Sequence, residues 1–91
     1  MEQGRIHSVE LLEMALDAAA RSGYRICEDA LGGCSGGACQ VKGQKWLLLD
    51  PELSSRDRLQ IVLDALAGDA GIVGLDLPAP LARVLRGLRA A

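Results

Sequence analysis

Apolar residues recur at helical spacing in three stretches of this chain and at strand spacing between the first two. Val9, Leu12, Leu16, Ala19 and Ala20 mark one helix face, with Leu11 and Ala15 beside them, while Glu10, Glu13, Asp17 and Arg21 fall opposite. This predicts a helix over 8–22. Ser8 can accept a hydrogen bond from a first-turn amide, and Gly23 tolerates the left-handed backbone that closes many helices.

Residues 24–30 predict a strand, with Tyr24 and Ile26 alternating with Arg25. A glycine-rich stretch follows, and then residues 38–42 and 45–50 predict a hairpin around Lys42-Gly43. A two-residue turn pairs Val41 with Gln44 and Cys39 with Trp46. That register puts Cys39, Val41, Trp46 and Leu48 on one face, and Gln40, Lys42 and Lys45 on the other with Leu47 and Leu49. The face without charges is expected to be the inner one, with Cys39 against a buried Trp46.

Asp50-Pro51 stops the strand. Ser54, with Asp57 three residues on, opens a second helix whose stripe is Leu59, Val62, Leu63 and Leu66, widened by Ile61 and Ala65 and ended by Gly68. Residues 69–77 form a connection containing Ile72-Val73. Pro78 or Pro80 fits the first turn of a third helix with the stripe Leu81, Val84, Leu85 and Leu88. The expected fold is α+β: a helix, a three-stranded antiparallel meander, and two helices packed on one face of the sheet.

Composition narrows the class. Ninety-one residues make one domain, 1–91, and a chain of this size buries only about 60–65% of its unfolded surface. Its core must come from aliphatic residues, because the chain has no Phe, one Trp and one Tyr. A net charge of −2 with no broad basic face argues against a nucleic-acid partner. No stretch approaches the roughly 18 apolar residues of a membrane span. The N-terminus lacks a charged-then-apolar signal pattern, and three cysteines make an odd set without framework spacing. The expectation is a cytoplasmic protein with no membrane partner.

Candidate chemistry is sparse. Gly33-Cys34-Ser35-Gly36-Gly37 matches G-x-S-x-G, but a strand follows it instead of a helix, and the single histidine, His7, lies far upstream. No catalytic residue is assigned. Backbone amides of the same glycines could cradle phosphate, but the Lys of a phosphate-binding loop is absent. Cys27, Cys34 and Cys39 flank the glycine-rich stretch at C-x6-C-x4-C spacing. If that stretch folds back, the three thiolates, with His7, could bind zinc; otherwise they are small hydrophobes, with Cys34 alone a candidate reactive thiol. Arg83, Arg86 and Arg89 on the last helix are either residues favoured by the helix dipole or an anion-binding surface.

Residues 38–68 resemble a segment of the metallopeptidase-like family typified by ImmA and IrrE. In that family a hairpin strand ending in an Asn-like residue leads through a Leu-Ser pair and an Arg-Phe pair into a helix bearing H-E-x-x-H. Here the corresponding residues are Trp46-Leu47-Leu48-Leu49-Asp50, then Leu53-Ser54, then Arg58-Leu59. The family's His, Glu and His fall on Asp64, Ala65 and Gly68, so the zinc ligands and the general base are missing. The resemblance implies a shared hairpin-plus-helix core without the peptidase chemistry, and a role in partner recognition.

The functional expectation is a non-enzymatic module that self-associates as a homodimer or binds another protein, without a cofactor. Its basis is surplus apolar surface on the first two helices and the open edges of a small sheet. The alternative is a zinc or redox protein using Cys27, Cys34 and Cys39.

Overall fold

In the computed structural model, residues 8–28, 36–72 and 74–90 are described, and of Ala70, Arg89 and Ala90 the backbone alone. His7, Cys34 and Ser35 lie outside the described residues, as does the Arg89 side chain.

The first helix, α1 (Ser8–Arg21), buries Leu12, Ala15, Ala18 and Ala19. Its buried line is therefore turned from the expected one: Val9 is 52% exposed and Ala20 is also exposed. The alanines explain the shift. Their small side chains let α1 lie close against the second helix, α2 (Ser55–Ala67), and spacing between packed helices follows side-chain size. Leu11, Met14 and Leu16 then pack at the margin of the core. Gly23 ends α1 with φ +102°, a backbone state that residues with a Cβ seldom take.

Three strands follow, β1 (Tyr24–Glu28), β2 (Gly37–Val41) and β3 (Gln44–Leu49). The hairpin register is the expected one, with Val41 opposite Gln44 and Cys39 opposite Trp46. Lys42 and Gly43 both have positive φ, 51° and 81°, the geometry of a tight two-residue turn. The expected antiparallel meander is not formed. The order is β1-β3-β2, and β1 pairs with β3 in parallel, Ile26 opposite Leu47. The centre of the sheet thus goes to the strand that carries the fully buried leucines, QKWLLL, whose backbone groups find partners on both sides.

The expected inner face of the hairpin is also reversed. Leu47 and Leu49 are fully buried, Trp46 and Leu48 are partly exposed, and Cys39 and Val41 are exposed. On β3 itself the two burial-prone leucines outweigh Lys45, which shares their face, because Lys45 can satisfy its charge at the margin, as described below; Lys42 lies in the turn.

Ser54 caps α2 by accepting from the Asp57 amide at 3.1 Å. Leu59, Val62, Leu63 and Leu66 are buried as their spacing predicts. A short 3-10 turn, Ala70–Ile72, inserts Ile72 into the core. The third helix, α3 (Ala79–Ala90), has Pro80 in its first turn, while the Pro78 carbonyl accepts the first amide, that of Ala82, at 2.9 Å. Leu81 and Leu85 are buried, but Leu88, expected in the same stripe, is 37% exposed because the last turn runs past the core. One cluster joins Leu12, Ala15 and Ala19 of α1, Leu47 and Leu49 of β3, the α2 stripe, Ile72, Leu81 and Leu85. Among the described residues no helix is long and apolar enough to cross a membrane.

Candidate interaction surface

The hairpin turn determines which backbone groups of β2 are free. Residues flanking a two-residue turn exchange both backbone hydrogen bonds, and such pairs alternate along an antiparallel ladder. Val41, Cys39 and Gly37 therefore turn their N–H and C=O groups toward β3. Ala38 and Gln40 turn theirs outward, along an edge that has no strand beside it among the described residues.

Two of the usual protections of an edge strand, charge and proline, are missing from it: Gly37-Ala38-Cys39-Gln40-Val41 contains neither. Its outer side chains continue an apolar row across the sheet: Val41 is 53% exposed, Cys39 is exposed, and Trp46 lies beside Cys39 with the Arg25 guanidinium 5.7 Å from its ring centre. On the other side, Gly36, Gly37 and Ala38 and the α2 residues Ile61, Asp64 and Ala65 line an open groove of about 340 Å³. Asp64 accepts from Gln60 Nε2 at 2.9 Å and is exposed.

Two of the positions that the peptidase resemblance singles out, Asp64 and Ala65, thus line this groove, while Gly68 caps α2. One carboxylate beside an alanine supplies neither a ligand set nor a paired base. Among the described residues no three His, Cys, Asp or Glu side chains are grouped to hold a metal ion. Cys27 and Cys39 lie on the two edge strands with β3 between them, and two register positions apart, opposite Leu48 and Trp46. With strands about 4.8 Å apart and a rise of about 3.3 Å per residue, that places their backbones roughly 12 Å apart. Arg83 and Arg86 are exposed on α3.

A second polar group is structural. Lys45 Nζ, on β3, meets Asp69 Oδ2 at 2.7 Å and lies 4.7 Å from the centre of the Tyr24 ring. Asp69 Oδ1 also accepts from the Gly71 amide at 2.8 Å. The Lys45 hydrogen bond holds the Asp69 carboxyl below the usual range against the opposing effect of burial, with further help from Gly71 and Tyr24. Burial, reinforced by the Asp69 charge, pushes the Tyr24 hydroxyl up. These contacts tie the connection after α2 to the sheet.

Sequence reading missed both the groove and the Lys45–Asp69 pair, which join residues distant along the chain. The uncharged run G-A-C-Q-V was a visible signal for an open edge, once β2 was known to lie at one. No family model, curated protein or solved structure matches this chain.

Proposed function

We propose that this protein is a non-enzymatic interaction module that self-associates through the β2 side of its sheet. The observation that carries the reading is the uncharged β2 edge, where the outward backbone groups of Ala38 and Gln40 have no strand beside them among the described residues. An edge of this kind is a template for adding another strand. Val41, among the most exposed large apolar side chains described, sits at its end. A homodimer would shelter the edge and this side chain together.

Light scattering across a concentration series, from low to high micromolar, tests this. A mass rising to that of a dimer is expected, with the Val41→Asp variant remaining monomeric while keeping its circular dichroism. A monomer mass throughout the series would overturn the reading.

A further inference from the structure

The β2 edge is also self-complementary in a particular register. Resting on the self-association reading, we infer that two copies pair β2 against β2 in antiparallel fashion about a two-fold axis at Cys39, making Cys39 a site for an interchain disulfide. This register pairs the strand over its whole length, Gly37–Val41. Ala38 of each copy faces Gln40 of the other, and these are the residues whose N–H and C=O groups point outward, so both flanking pairs exchange two hydrogen bonds.

Cys39 then faces its own counterpart in a non-hydrogen-bonded pair, where backbones approach to about 4.5 Å between Cα atoms. Disulfides span about 4.4–6.8 Å. The side chains agree with this placement. Cys39 is exposed on the outer face, and the joined sheets carry one row running Trp46, Cys39, then the second copy's Cys39 and Trp46. Val41 of each copy comes over Gly37 of the other, and no atom of the described residues lies within 4 Å of the position a Cβ would take at Gly37. Charge agrees as well. One step beyond the strand, Lys42 of each copy arrives opposite Gly36 of the other, at the groove that carries Asp64. The strand itself brings no like charges together.

The covalent step is thiol–disulfide exchange with a small disulfide such as glutathione disulfide. One Cys39 thiolate attacks the reagent and releases one glutathione. The second copy's Cys39 thiolate attacks the mixed disulfide and releases another, so two protein thiols are oxidised while one disulfide is reduced to two thiols.

The test uses full-length protein carrying Cys27→Ser and Cys34→Ser, incubated with glutathione disulfide at the concentration where light scattering shows the dimer. A non-reducing gel should show a covalent dimer as the main product. Moving the single cysteine one residue, with Cys39→Ser and Gln40→Cys, should lower its yield at least tenfold, because residue 40 faces residue 38. Gln40→Pro, which removes an outward amide and leaves the β3 ladder intact, should abolish both the dimer and the cross-link without altering the circular dichroism. Asp64→Lys should weaken dimerisation about three- to tenfold, and Lys42→Asp added to it should restore it. A dimer by light scattering whose Cys39 cross-links no faster than residue 40 would overturn the register and leave self-association standing. A monomer at every concentration would overturn both.

Discussion

Lys45 and Asp69 are 24 positions apart in the chain, yet their charged atoms meet at 2.7 Å. The pair joins the central strand to the segment after α2, with the Asp69 side chain 14% exposed and the Tyr24 ring beneath the ammonium group. It allows a lysine to share a sheet face with two fully buried leucines.

The pair makes stability depend on pH in a defined direction. Asp69 titrates lower in the folded chain than in the unfolded one, so its contribution is complete above the ordinary carboxylate range. As pH falls through the lowered folded value, that contribution is lost. Asp69→Asn should cost about 1–2 kcal/mol at neutral pH, and the gap to the unaltered protein should close in acid. Thermal unfolding of both proteins between pH 2 and 7 measures this; a gap independent of pH would remove the pair from the account. Tyr24 works in the other direction. Its raised folded value contributes below the ordinary tyrosine value and is lost as pH rises through the folded one.

Leu47 and Leu48 are adjacent on β3 but differ in burial, the first fully buried and the second partly exposed on the outer face. Leu47→Ala should destabilise by about 3–4 kcal/mol, and Leu48→Ala by roughly half that or less. Urea unfolding of the two variants decides which face is the core. The opposite ranking would restore the charge-free face as the inner one.

Gly23 has φ +102° between α1 and β1, with the Lys45 Cε atom 3.5 Å from where a Cβ would sit. The space is adequate, so the cost of Gly23→Ala is conformational, about 1–3 kcal/mol. A stability equal to that of the unaltered protein would mean that the chain leaves α1 in another conformation.

Trp46 lies on the outer face with Arg25 above its ring, and should be reached by acrylamide in the folded protein. Arg25→Ala should increase the quenching further while leaving the unfolding free energy within about 1 kcal/mol, since an exposed contact of this kind is worth little. Quenching as slow as for an indole sealed in a core would contradict the assignment of faces.

Local features were legible in the sequence because they depend on neighbours in the chain. The 3.6-residue spacing of Leu59, Val62, Leu63 and Leu66 predicted α2 and its buried side, and Ser54 marked its start. The Lys42-Gly43 pair predicted a turn that set the Val41–Gln44 register. Tertiary structure decided what these local rules leave open. Periodicity shows that a strand has two faces but not which is covered, and Leu47 and Leu49 settled that against Cys39 and Trp46 only when the helices were in place. Strand order likewise depends on which strand gains most from two neighbours. β3 took the centre, β1 joined it in parallel, and β2 was left as the open edge on which the proposed association rests.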